Sequence, residues 1–375
     1  MYGVHTLILN QQLSLQQADK LNKDMGTGSF YSIVENLKEK ASYVFNLRAI
    51  QLTRKSDIVV TKQGGRFYVY FRLQLAPNDI LTGTTTEDVF ESSKENIELF
   101  MAKLDLIFSE SFKDYEFIEK DCTKWLVSYI EYAANLYSNN IELAMELLRK
   151  NAKDTNFKEF KDDTNAICTI NRKSKYKRSR STTLYDKEKA EHSKHQERLQ
   201  TTGDEVKCIR FELQCGRSSL WLSIAKKQRE NDNLMYYLNE AIIIRVLASG
   251  YASKFATGDF YSLEYIRKYI KDKKLVEYAE SATKSRSIKC TKVKAKSGKS
   301  TISVATNNKR IRAFDKLGIA PVAIPVRANT DVLFNPMPHE WLQDGVYGKK
   351  IYNFFTYKGI SFDTSTNTIT HIKGA

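Results

Sequence analysis

The chain has 375 residues, 42% of them hydrophobic, enough for a sizeable core and better suited to two domains than to one. Its 59 Lys and Arg against 44 Asp and Glu leave a net charge of +15. That excess points to a polyanionic partner, nucleic acid before an anionic membrane surface, and no apolar run reaches the roughly 18–20 residues needed to span a bilayer.

The opening MYGVHTLILN has neither a basic start nor a long apolar stretch, so no secretory leader is expected. Five scattered cysteines (Cys122, Cys168, Cys208, Cys215, Cys290) form neither a C-x-x-C pair nor a disulfide framework, and a reducing cytoplasm is the expected location.

In chain order, Ile33, Leu37 and Ala41 at helical spacing predict a helix over Ser29–Phe45. Asp57–Leu75 holds two β-rich runs joined by Gln63-Gly64-Gly65, a hairpin signal. Over Ser92–Phe108, Ile97, Phe100, Met101, Leu104 and Phe108 form one helical stripe. A strand is predicted at Trp125–Leu136. A helix follows over Asn139–Lys150, with Ile141, Ala144, Met145 and Leu148 on one face and Asn139 or Asn140 as cap. Next come strands near Ile167–Asn171 and Thr182–Lys187, a charged helix over Lys187–Leu199, and a strand over Val206–Cys215. Ser218 to about Ile270 reads as helical, broken at Gly250 and Gly258.

Between Ser281 and Phe314 there is no acidic residue and there are ten basic ones, Lys292, Lys294, Lys296 and Lys299 among them. This stretch reads as a flexible basic arm or a two-strand wing centred on Lys296–Lys299, in either form suited to DNA contact. Four of the five prolines lie beyond it. The expected fold is α+β, an antiparallel sheet covered by helices and followed by a mostly helical C-terminal module. The expected domains are 1–228, a helical module with its basic arm or wing at 229–320, and an irregular closing segment at 321–375.

Side chains alternate across a strand, so residues two apart share a face. Tyr129, Glu131, Ala133 and Asn135 then share one side of their strand, and Ile130, Tyr132, Ala134 and Leu136 the apolar other side. Arg210, Glu212 and Gln214 lie opposite Ile209, Phe211, Leu213 and Cys215; Thr183, Tyr185 and Lys187 share a face away from Leu184. If these strands are neighbours, one sheet face collects Glu131, Glu212, Arg210, Tyr185 and Lys187. Two carboxylates suit Mg²⁺ or Mn²⁺, a tyrosine hydroxyl can attack phosphorus, and Lys and Arg can offset the charge that develops. The same pattern also describes the solvated face of a half-buried antiparallel sheet.

The stretches LVSYIEYAANL, SRSTTLYDK and CIRFELQC, in that order, resemble the filamentous-phage replication endonucleases of the gene II type and the related plasmid rolling-circle replication initiators. Those families carry an Arg-Ile-Asp strand, a Tyr-x-Lys strand and an Arg-Phe-Glu strand. Tyr185-Asp186-Lys187 and Arg210-Phe211-Glu212 match the last two, and Tyr129-Ile130-Glu131 replaces the first. The resemblance spans roughly residues 1–228. It implies a DNA endonuclease and strand transferase in which Tyr185 nicks one strand at an origin and keeps the 5′ phosphate. Glu131 and Glu212 would be metal ligands, Lys187 and Arg210 phosphate contacts, and a host helicase and DNA polymerase further partners beside the single-stranded and supercoiled origin DNA. A DNA-binding protein on the same scaffold that does not cut, or an RNA-binding protein, are the alternatives.

No His-x-His strand, a common metal-binding element in nicking enzymes of this type, occurs among His5, His192, His195, His339 and His371. His192 and His195 are three apart on the charged helix and could face one site, though exposure fits their surroundings better. The run Arg172, Lys173, Lys175, Tyr176, Lys177, Arg178 and Arg180 reads as a grip on single-stranded DNA, with Tyr176 as stacking ring or alternative nucleophile. Neither a Walker nor a dinucleotide fingerprint is present, so ATP hydrolysis is not expected.

Overall fold

The computed structural model describes residues 1–26, 28–48, 50, 52–85, 88–153, 157–159, 167–170, 180–194, 208–223, 232–285, 288, 303–338, 341, 360–363 and 368–371. The chain begins with β1 (Tyr2–Leu13), α1 (Leu15–Met25), α2 (Phe30–Glu35), β2 (Ser42–Asn46), β3 (Lys55–Gln63), β4 (Arg66–Leu75), α3 (Pro77–Thr82), β5 (Phe90–Glu91) and α4 (Lys94–Ser111). Then come β6 (Leu126–Leu136), α5 (Ile141–Lys150), β7 (Phe157–Glu159), β8 (Ile167–Ile170), β9 (Arg180–Asp186), α6 (Lys187–Lys194) and β10 (Ile209–Gly216). The remainder is α7 (Arg217–Ser223), α8 (Leu234–Leu238), α9 (Glu240–Lys254), β11 (Phe260–Tyr261), α10 (Leu263–Tyr269), α11 (Lys273–Thr283), α12 (Val304–Leu317), β12 (Val332–Leu333), β13 (Ile360–Asp363) and β14 (Thr368–His371). The fold is α+β. Its main sheet has strand order β2-β3-β4-β1-β6-β10-β9-β8-β7, with β5 beside β1. Pairs β2–β3, β3–β4, β4–β1, β1–β6 and β7–β8 run antiparallel.

Two compact units interleave along the chain. The first takes Met1–Ala134, Lys173–Ser181 and Glu212–Ile243; the second takes Asn135–Arg172, Thr182–Phe211 and Ile244–Ala375.

In the first unit the elements follow from local chemistry. Gly64 and Gly65 have φ of 59° and 71° between the paired residues Gln63 and Arg66, the left-handed turn that a two-residue hairpin requires. Ser14 ends β1 and starts α1 through a capping box: its hydroxyl accepts from the Gln17 N–H while Gln17 accepts from the Ser14 N–H. Ser93 caps α4, which buries Phe100, Leu104, Ile107 and Phe108. Phe71, Phe108, Phe112 and Trp125 pack with ring centroids 5.1–5.7 Å apart, the apolar support beneath β1, β4 and β6.

In the second unit, Phe211, Tyr251, Phe255 and Trp341 form a ring cluster, with Tyr251 and Phe255 5.2 Å apart. Asn335 donates to the carbonyls of Ala256 and Gly258 and accepts from the Tyr251 hydroxyl, so the chain between α9 and β11 is tied to that cluster. A Cβ on Gly258 would lie 2.4 Å from the Ile319 backbone, which is why glycine stands there.

Several expectations are corrected. The helix expected over Ser29–Phe45 ends at Glu35, and Tyr43, Val44 and Phe45 join β2, where β-branched and aromatic residues pair with β3. Gly250 lies inside α9 and does not break it. Lys309, Arg310 and Arg312 belong to α12, capped by Ser303, and not to a basic arm. Lys187 is the first residue of α6 and not part of the strand: Asp186 turns the chain by accepting a hydrogen bond from the Lys189 N–H at 3.2 Å. Among the described residues, no helix is long and apolar enough to cross a membrane.

Candidate functional site

In the first unit, β6 carries Glu131 with Ile130 and Tyr132 on its apolar side, the alternation expected from the sequence. Its neighbour β1 breaks alternation once. Val4 pairs with Tyr132 and Thr6 with Glu131, so two steps along β1 match one step along β6, and His5 is the extra residue of a β-bulge. The bulge turns His5 onto the side of Glu131, where its Nδ1 lies 2.7 Å from Glu131 Oε1. Ligand atoms of His5, Glu131 and Glu212 all lie within 4.8 Å of one another.

The supports of this cluster are specific. The Tyr129 hydroxyl donates to Glu131 Oε2 at 2.8 Å from two residues along the same strand. Gln214, two residues beyond Glu212 on β10, also donates to Glu131, and its own Oε1 accepts from the Ser181 hydroxyl at 2.6 Å. Burial pulls the Glu131 carboxyl upward, but the hydrogen bond and charge of His5, with Tyr129 and Gln214, outweigh it and hold the group below the usual glutamate range. Burial first, and Glu131 and Glu212 next, push the Tyr129 phenol well above its ordinary value. Tyr129 therefore stays a neutral donor, and it occupies the place where the resembled families carry arginine.

The second unit positions Tyr185, Lys187 and Arg210. Tyr185 is half-buried on β9 between buried Leu184 and Asp186. The Lys187 N–H donates to the Cys208 carbonyl at 3.0 Å, joining the start of α6 to the chain entering β10. Lys189 pairs with Glu142 at 2.8 Å and holds α6 to α5.

The charged residues of the expected polar face are all withdrawn from water. Arg210 is 1% exposed, Lys187 6%, Glu131 8% and Glu212 9%. A solvated face would leave these side chains in water; burial of charge needs partners, which Glu131 has in His5, Tyr129 and Gln214.

The structure brings Glu131 and Glu212 together and adds His5, which the sequence reading counted among the histidines and gave no role. A signal existed: the apolar residues Val4, Leu7 and Leu9 change spacing from three to two at His5-Thr6, the mark of an extra residue in a strand. Arg172, Lys173, Lys175, Tyr176, Lys177, Arg178, His195, Lys292, Lys294, Lys296 and Lys299 lie outside the described residues, as do the side chains of Arg180 and His192.

No protein-family model matches the chain, and no curated protein matches it. Among solved structures, it is similar to one described as a rolling circle replication initiator protein from Geobacillus stearothermophilus. That similarity has 10% identity and a TM-score of 0.26, over 59% of this chain and 76% of the other.

Proposed function

We propose that this chain is a rolling-circle replication initiator that nicks and rejoins one strand of origin DNA through Tyr185, with a divalent cation held by His5, Glu131 and Glu212. The observation that carries the reading is the convergence of those three ligand atoms within 4.8 Å, two of them, Glu131 and Glu212, on strands whose motifs resemble the initiators. Ligands on opposite sides of a cation at about 2.1–2.2 Å would be about 4.3 Å apart, so the cluster fits one ion with shifts of tenths of an ångström. One imidazole beside two carboxylates favours Mn²⁺ over Mg²⁺, which prefers oxygen alone.

When bound, such an ion would polarise a phosphodiester oxygen. The Tyr185 oxygen attacks phosphorus and gives up its proton; the P–O3′ bond breaks, and the departing oxygen takes a proton to become a 3′ hydroxyl. The 5′ phosphate stays esterified to Tyr185, and attack by a later 3′ hydroxyl reverses the exchange without ATP. Lys187 and Arg210 are assigned to the negative charge on the transferring phosphate. Gripping the single strand is assigned to the basic run at Arg172–Arg180. Origin DNA, host helicase and polymerase as partners, and the cytoplasm as location, belong to the same proposal.

The test incubates the protein with single-stranded and supercoiled DNA carrying its own element's origin, with Mn²⁺ or Mg²⁺. A metal-dependent 5′-linked adduct is expected with the native chain and none with Tyr185→Phe. An adduct that survives the substitution removes Tyr185 from the role. DNA binding without a nick under either ion favours the protein that binds and does not cut.

A further inference from the structure

We infer that α10 carries a second single-stranded DNA site, a stacking platform built from Tyr261, Tyr265 and Tyr269 and flanked by cations. It lies wholly within the second unit and uses none of the residues assigned to strand cleavage.

Tyr261 and Tyr265 have ring centroids 4.4 Å apart and planes within 13°, and Tyr265 and Tyr269 are 4.2 Å apart with planes tilted by 34°. The column is graded in exposure. Tyr261 is 3% exposed and locked in β11 by pairing with Val332, Tyr265 is half-buried, and Tyr269 is 46% exposed. Ser262 caps α10 on the Tyr265 N–H, which fixes the helix that spaces the last two rings. The outermost ring is therefore held by a column rooted in the core, and its orientation costs little to maintain on binding.

A lone exposed tyrosine would need no explanation. This one sits in a cationic setting. Residues 267–274 carry Arg267, Lys268, Lys271, Lys273 and Lys274 against the single acid Asp272, and all six are exposed. Lys268 Nζ lies over the Tyr269 ring, 5.4 Å from its centroid, and a stacking base would take its place and free it for the neighbouring phosphate. Beside them is an open cleft of about 520 Å³ lined by Arg267, Lys268, Lys271, Lys273, Ile270 and Val276, with Glu277 at its edge. Glu280 engages Arg267 at 2.8 Å, and the phosphates are assigned to Lys268, Lys271 and Lys273.

A planar ring at stacking distance with ammonium groups around it is complementary to a base and its flanking phosphates. Duplex DNA hides its base faces, so the platform selects single strands. The choice of DNA over RNA rests on the nicking proposal; the stacking site itself does not.

The test measures binding of a short fluorescein-labelled oligothymidylate to the full chain in EDTA, where no cleavage occurs. Tyr269→Ala should weaken binding about 5- to 100-fold, the usual loss for one base-stacking ring, while Tyr269→Phe should stay near the native value. Lys271→Ala with Lys273→Ala should lower the salt dependence of binding. Unchanged affinity in Tyr269→Ala, equal loss in Tyr269→Phe, or equal affinity for duplex would overturn the platform. Tyr269-dependent binding to oligouridylate alone would overturn the DNA assignment. A native chain that binds through Tyr269 yet never forms the Tyr185 adduct keeps this site and sinks the nicking proposal, and the reverse result does the opposite.

Discussion

His5 is the residue on which the proposed cation site turns. It supplies the only nitrogen of the cluster and the main hydrogen bond that holds Glu131 ionised. A ligand that binds only the folded chain at about a hundred times its Kd stabilises it by about 2.7 kcal/mol. Mn²⁺ should therefore raise the Tm of the native chain, and His5→Ala should abolish most of that rise. A full Mn²⁺ response in His5→Ala would show that the donor set is wrong. The two carboxylates were legible in the sequence because they sit in motifs with regular alternation. His5 was not, because the search for a His-x-His pair passed over a single histidine whose face depends on a bulge. Lys187 stands in the sequence where strand alternation and the charged helix meet, and the Asp186 cap assigns it to the helix.

Among the elements, those with strong local signals were read correctly. The Gly64-Gly65 hairpin, the apolar stripe of α4 and α5 with its asparagine cap each announce themselves by turn chemistry, periodicity or capping. The failures are where a pattern was followed past a boundary that tertiary pairing sets: α2 stops at Glu35 because the next apolar residues serve β2. Gly250 and Gly258 looked alike in sequence and differ in consequence. Gly258 meets the chain at Gly318 and Ile319, where the Asp259 N–H donates to the Gly318 carbonyl at 3.0 Å and the Ala320 N–H to the Asp259 carbonyl at 2.7 Å. Gly258→Ala should force that backbone apart and cost about 1–3 kcal/mol or more, read as a lower midpoint in urea. An unchanged midpoint would mean that the contact relaxes freely.

For the molecule as a whole, stability against pH should carry the mark of Asp259. This fully buried carboxyl is pushed up to about 7 by burial, against the opposing hydrogen bond from the Asn335 N–H. The folded chain then holds a proton that the unfolded chain releases near pH 4, so stability falls as pH rises from about 4 through about 7. Asp259→Asn keeps an acceptor for the Asn335 N–H and removes the ionisation. Its stability relative to the native chain should therefore grow from about pH 5 to about pH 8, by on the order of a few kcal/mol. A difference between the two that does not change with pH would place the Asp259 titration outside this range.

The bulge at His5 also separates two fates of the same sheet. Residues on either side of it keep their own partners, Val4 with Tyr132 and Thr6 with Glu131, which are consecutive on β6. Removing the single residue His5 would close this bulge with Val4 and Thr6 still opposite their own partners, and would leave the separate register shift at Ile8–Leu9 as it is. A lineage, or an engineer, could thus discard the histidine by one codon deletion and keep the scaffold, so that copies without the proposed cation site would differ from this chain by length at one strand position and not by any lost core residue.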